Sequence, residues 1–132
     1  MTMSKTVQDL LMRNLLEVFG ERDPVKRRAV IEAIYAPATT FIDPEGSYSG
    51  WDGVEQAAAT LQAATPGFAF SAFGDAQVLG AAVRLRWAYG PAEAPQRVTG
   101  TDFALVNEGR IVAMYTFVDA HYAARHAASG TA

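Results

Sequence analysis

Apolar residues recur at three- and four-residue spacing through the first third of the chain. Val7, Leu10, Leu11, Leu15, Val18 and Phe19 fall on one face of a helix over about 6–19, because side chains at that spacing lie on one side of the helix axis. Gly20 supplies a stop. Asp23-Pro24 then reads as an N-cap followed by proline at the first helical position. Val25, Ala29, Ile31, Ile34 and Tyr35 carry a second amphipathic helix to Pro37. A third helix is predicted from Asp52, where Asp52-Gly53-Val54-Glu55 has capping-box spacing, through Ala57, Ala58 and Leu61 to about Ala64.

Elsewhere the period is two. Thr39–Asp43 is β-branched and aromatic and is closed by Pro44-Glu45-Gly46, which predicts a short strand ending in a turn. Asp43, its last residue, shares a face with Phe41. Phe68–Phe73, Gln77–Tyr89, Gln96–Asn107 and Arg110–Ala120 are four more strand-like runs, with Asn107-Glu108-Gly109 a hairpin turn. In the second of these Val83, Leu85, Trp87 and Tyr89 form an interior wall while Arg84 and Arg86 point the other way. In the third, Val98, Gly100, Asp102, Ala104 and Val106 oppose Thr99, Thr101, Phe103 and Leu105. Neither side of that strand is fully polar, so the sheet needs two covers: the helices on one face and a second subunit on the other. Helices first and a meander after is an α+β arrangement, three N-terminal helices on a curved, mostly antiparallel sheet.

Composition narrows the class. The 132 residues are 50% hydrophobic and 19% charged, as in one soluble domain spanning 1–132, with a core over about 6–120 and a tail over 121–132. A chain of this length buries roughly two-thirds of its unfolded surface and folds without staples. With no cysteine, thiol chemistry and cysteine-ligated metals are excluded, and a reducing, cytoplasmic setting is expected. The N-terminus lacks a signal-peptide apolar region, and no apolar run reaches membrane-spanning length. A net charge of −3 argues against a nucleic-acid partner. No Ser-His-Asp spacing, phosphate loop or nucleotide fingerprint is present, and no cofactor is expected.

With Phe41-Ile42-Asp43-Pro44-Glu45-Gly46, Gly100-Thr101-Asp102-Phe103 and Gly109-Arg110-Ile111-Val112-Ala113-Met114 placed, the chain resembles the SnoaL-like proteins. These belong to the nuclear transport factor 2-like superfamily, with the ketosteroid isomerases and limonene epoxide hydrolases. The resemblance covers about residues 6–120. It implies a cone-shaped α+β barrel with a pocket between helices and sheet, and a homodimer through the outer sheet face. Asp43 matches the general base of the ketosteroid isomerases. Asp102 matches their second carboxylic acid, kept neutral to donate to an enolate oxygen, so the resemblance implies two carboxyls whose surroundings push their pKa values apart. The oxyanion tyrosine of that family has no counterpart on the first helix: its nearest position is Leu15, with Asn14 beside it as an amide donor. The epoxide hydrolase pattern is not met, since Gly100 stands in place of its arginine and Thr116 in place of its last-strand acid.

Two functions follow as expectations. In the first, an isomerase or polyketide-cyclase-like enzyme does acid–base chemistry next to a carbonyl on a small apolar substrate. Asp43 and Asp102 are then catalytic, and Asn14, Phe41, Val83, Leu85, Trp87, Tyr89, Met114 and Thr116 contact the substrate. In the second, the same pocket binds a small ligand without chemistry. Plainer readings stand beside these. Asp102 is also readable as a buried, backbone-bonded aspartate, Asp43 as a turn opener, and the aromatic strand residues as packing. Lys26, Arg27 and Arg28 read as the solvated side of helix two. Asp119, His121 and His126 do not have metal-ligand spacing, so no metal is expected.

Overall fold

A computed structural model describes residues 2–120; His121, His126 and the tail lie outside them. The first helix runs as an α-helix over Thr2–Arg13 (α1) and continues as a π-helical segment over Asn14–Phe19. The π winding, with its i to i+5 hydrogen bonds, buries Asn14, Leu15, Val18 and Phe19 together. The apolar pattern placed this helix, but a periodicity of three and four does not distinguish the wider winding.

In α2 (Pro24–Ile34), Asp23 Oδ1 accepts from the amides of Val25 at 2.9 Å and Lys26 at 3.4 Å, so the cap followed by proline forms as the sequence predicts. The buried stripe, however, is Arg27, Ile31 and Ile34, and Val25 is 79% exposed. Arg27 is therefore a correction: it is buried, not solvated. Its guanidinium bonds Glu55 Oε2 at 2.6 to 2.7 Å, Gln62 Oε1 at 2.7 Å and the Glu21 carbonyl at 3.2 Å. Gln62 in turn donates to the carbonyls of Phe19 at 2.9 Å and Glu21 at 2.8 Å. A helix C-terminus leaves carbonyls without partners, and here the Gln62 amide supplies them.

Helix two also ends earlier than its periodicity implies. Ala36 precedes Pro37, and a residue before proline disfavours helix; Tyr35 is already extended and opens β1 (Tyr35–Asp43). A short β2 (Gly46–Ser49), absent from the sequence reading, pairs back on β1 across the Pro44-Glu45 turn. Helix α3 (Gly50–Ala64) starts without the expected capping box: Asp52 pairs with Arg28 at 2.8 Å instead. The indole of Trp51 donates to the Tyr35 carbonyl at 2.8 Å and ties α3 to β1.

The remaining strands are β3 (Ala69–Leu79), β4 (Ala82–Gly90), β5 (Val98–Asn107) and β6 (Arg110–Val118). Gly74, where the sequence suggests a break, is a bulge inside β3, and the hairpin turn lies at Gly80, both with positive φ. At Asn107-Glu108-Gly109 the predicted hairpin forms, with Glu108 and Gly109 both left-handed. The sheet order is β2-β1-β6-β5-β4-β3, with only β1 and β6 parallel. The curved sheet is not closed. None of the described helices is long and apolar enough to cross a membrane.

Val83, Leu85, Trp87 and Tyr89 are buried against the helices, as alternation requires. On the outer face a cross-strand row runs Phe73, Arg86, Thr101, Phe117. Arg86 pairs within the chain with Asp119 at 2.7 Å, and Arg84 bonds Gln77 at 2.7 Å. On the inner face Trp87 lies opposite Gly100, and a Cβ there would collide with the indole ring and the Phe117 carbonyl. Glycine is what lets the ring lie across the strand.

Two outcomes test this packing. Arg27→Ala strands the partly buried Glu55 carboxylate and is expected to cost about 3 kcal/mol in urea denaturation, whereas a solvated arginine would cost under about 1 kcal/mol. Gly100→Ala overpacks the strand and is expected to cost about 1 to 3 kcal/mol with loss of near-UV tryptophan dichroism; an unchanged spectrum would show the ring is not held there.

Candidate functional site

A cavity of about 450 Å³ opens between the helices and the inner face of the sheet. That volume suits a small molecule. The aromatic residues of its wall form a continuous belt. Tyr48 meets Phe41 at 6.0 Å between ring centroids, Phe41 stacks on Phe19 at 5.2 Å, and Phe19 meets Phe70 edge-on at 6.4 Å. Phe70 then stacks on Tyr89 at 3.9 Å and meets Trp87 at 5.5 Å, and Tyr89 reaches Phe68 at 5.1 Å. All seven rings line the cavity.

Asp102 reaches the cavity from the centre of β5 and is 4% exposed. Its neighbours on both flanking strands are fixed by register: Leu85 on β4 and Thr116 on β6. Thr116 Oγ1 donates to Asp102 Oδ1 at 2.8 Å and Trp87 Nε1 donates to the same oxygen at 3.1 Å. The Asn14 side chain is a third hydrogen-bonding partner. Burial pushes the carboxyl up to about 6, and the bonds from Thr116, Trp87 and Asn14 oppose that rise by favouring the charged form. Because an indole N–H can only donate, Oδ1 is an acceptor, and a proton taken up by this carboxyl resides on Oδ2.

Asn14 is itself held. The Tyr35 hydroxyl donates to Asn14 Oδ1 at 2.7 Å, and both residues are essentially inaccessible. With its oxygen committed to the phenol, the amide presents its NH₂ group to Asp102. Burial and the nearby Asp102 charge push the Tyr35 phenol well above its ordinary range, so it remains a neutral donor. Tyr35 is the residue that sequence reasoning missed, because it was placed in a helix. The only available signal was Pro37 two residues on.

Asp43 lies at the mouth with Pro44 and the exposed Glu45. Its Oδ1 accepts from the amides of Glu45 at 2.9 Å and Gly46 at 3.2 Å, the ordinary turn-opening geometry. Burial raises its pKa, opposed by these two amides.

Of the sequence-predicted contact residues, Phe41, Trp87, Tyr89 and Thr116 line the cavity with both aspartates. Val83, Leu85, Met114 and Asn14 do not: they are buried behind the wall, the first three as core and Asn14 as a support for Asp102. Strand alternation identifies the inward face but not where the helices cover it. Thr60, Leu61, Ala64 and Thr65 of α3 and its C-cap form a wall the sequence did not single out, since small helix residues read as ordinary packing. Among the described residues no group of three or more His, Asp or Glu is arranged to hold a metal.

Solved structures of similar fold fall within the same architecture. A SnoaL-like family protein from Agrobacterium tumefaciens, provisionally described as an isomerase, is 24% identical, with a TM-score of 0.73 over 89% of this chain and 95% of that one. A protein from Jannaschia sp. CCS1, provisionally described as a SnoaL-like polyketide cyclase, is 14% identical, with a TM-score of 0.71 over 92% and 90%. A protein of ketosteroid isomerase-like fold from Catenulispora acidiphila, in complex with trimethylamine, is 15% identical, with a TM-score of 0.67 over 83% and 84%. At these identities the likeness concerns the fold. No curated protein matches the sequence. The SnoaL-like domain model matches residues 12–114, most of the chain, and the protein is a member of the SnoaL-like family.

Proposed function

We propose that the protein is an acid–base enzyme of the isomerase or cyclase type, in which Asp102 moves a proton next to a carbonyl of a small, largely apolar molecule. The observation that carries this reading is a carboxyl on the wall of a cavity rich in aromatic rings, raised to about 6 and accepting hydrogen bonds from Thr116 and Trp87 at Oδ1. A base with a pKa near the working pH is ionised often enough to accept a proton and basic enough to hold it. The Asp102 carboxylate takes the proton from the carbon next to the carbonyl, the C–H electron pair passes into an enolate, and Asp102 returns the proton at the same or another atom. This exchanges the roles drawn from the family resemblance: Asp102 is the base, and Asp43, tied to its turn, shapes the mouth. The neighbours' isomerase and cyclase descriptions are consistent with such chemistry.

A second reading is favoured by the state of the wall hydroxyls. Thr65 and Tyr89 bond each other and Thr116 bonds Asp102, which leaves few donors for an oxyanion. Under that reading the pocket binds and returns its ligand unaltered.

Deuterium exchange from heavy water into ketones, enones and lactones separates these readings. Exchange that rises with pH through about 6 and disappears in Asp102→Asn supports Asp102 as the base. Exchange lost in Asp43→Asn but kept in Asp102→Asn reverses the assignment, and ligand binding without exchange supports the second reading. Stability supplies an independent check. The folded chain holds the Asp102 proton up to about pH 6 while the unfolded chain releases it near pH 4, so ionisation costs stability as pH rises between those values. Asp102→Asn is therefore expected to gain relative to the wild type from pH 4 to pH 7 by roughly 2 to 3 kcal/mol. A parallel pH dependence in the two proteins would remove the raised carboxyl.

Tyr35→Phe tests the support. It frees the Asn14 amide and leaves a buried oxygen unpaired, which is expected to cost about 1 to 3 kcal/mol. It is also expected to shift the Asp102 carboxyl upward, as read by carbon NMR; an unmoved titration would make Tyr35 a packing residue.

A further inference from the structure

The carboxyl side chains among the described lining residues are Asp43, Glu45 and Asp102, and the lining contains no lysine, arginine or histidine. The chain as a whole is close to balanced, with 11 basic against 14 acidic residues, so the imbalance belongs to the cavity. Two arginines lie beside the lining without belonging to it. Arg22 spends its guanidinium on the carbonyls of Gln62, Thr65 and Phe68 at 3.0 to 3.1 Å. Arg97 is exposed and lies 5.9 Å from the centroid of Phe68.

The rings add to the same field. An aromatic face carries the negative end of its quadrupole and attracts cations within about 6 Å. Tyr48 and Phe41 stand beside the mouth carboxylates, and the Tyr48 phenol is influenced by the charges of both Asp43 and Glu45. A cation at the mouth therefore meets carboxylates and ring faces together.

We propose that the cavity selects a cationic amine: an apolar molecule whose protonated or quaternary ammonium group sits at the Asp43 and Glu45 mouth and whose body lies along the aromatic belt. The same field disfavours carboxylates and phosphates. In its mechanistic part this rests on the reading of Asp102 as a base. Proton removal there places an enolate in a cavity whose described wall offers no cation, and a cationic substrate lowers the net negative charge that the enolate adds to. The binding preference itself needs no chemistry.

Hexylammonium, hexyltrimethylammonium, hexanol and hexanoate share one apolar tail and differ in charge, so their affinities measured by calorimetry and by tryptophan fluorescence isolate the effect. Both cations are expected to bind at least about tenfold more tightly than hexanol, with hexanoate weakest, a difference of about 1.4 kcal/mol or more. That ratio is expected to fall with added salt and to collapse in the Asp43→Asn, Glu45→Gln double variant, whose folding is checked by circular dichroism. In carbon NMR the cations are expected to lower the pKa of Asp43. Hexanol binding as tightly as the cations, a ratio unchanged by salt, or no cation binding up to millimolar concentration overturns the proposal. Because no turnover is read, the two readings separate: cation preference without deuterium exchange, amino ketones included among the probes, rejects the base and keeps the amine, and exchange without cation preference does the reverse.

Discussion

The molecule is organised around the cost of putting one carboxylate inside an apolar cavity. An isolated buried charge costs several kcal/mol or more, and Asp102 is tolerated because Trp87, Thr116 and Asn14 converge on it. Each donor has its own requirement. The indole reaches Asp102 because Gly100 has no side chain to block the ring. Thr116 is aligned because β5 and β6 are in register at that pair. Asn14 is oriented because Tyr35 occupies its oxygen, which requires the chain to leave helix at Ile34 and enter β1. Breaking any of these leaves the carboxylate less stabilised in its charged form.

Much of this was legible from residue patterns. The first helix, the Asp23-Pro24 start, the Asn107-Glu108-Gly109 hairpin and the inward face of Val83, Leu85, Trp87 and Tyr89 all follow from periodicity, caps and turn chemistry. So does the placing of Asp102 and Asp43 beside apolar surface. What escaped depends on tertiary contacts. Tyr35 satisfies the helical pattern as well as the strand pattern, and only a partner on another element distinguishes them. Arg27 looks like one of three consecutive surface cations, yet the Glu21 carbonyl just past the first helix, the Gln62 side-chain oxygen and the Glu55 carboxylate draw it inward. Gly74 and Gly80 carry the same conformational freedom, and which of them bulges and which turns is settled by pairing with β4.

The cavity combines two kinds of support. Asp102 and Thr116 come from strands flanked on both sides by paired neighbours, so their geometry is shared by the whole sheet. Asp43 ends β1, Glu45 lies in the turn after it, and Ala64 and Thr65 come from the end of α3, where local changes are absorbed by a few residues. A proton-transfer group needs the first kind of support, because sub-ångström placement decides its reach to a reacting atom. Ligand selection tolerates the second, because charge at a mouth acts over several ångströms. The division implies that a change of ligand preference is accessible through the Asp43–Glu45 turn while Asp102 keeps its three partners. The reverse does not hold: displacing Trp87 or Thr116 to widen the cavity also withdraws a hydrogen bond from the carboxylate.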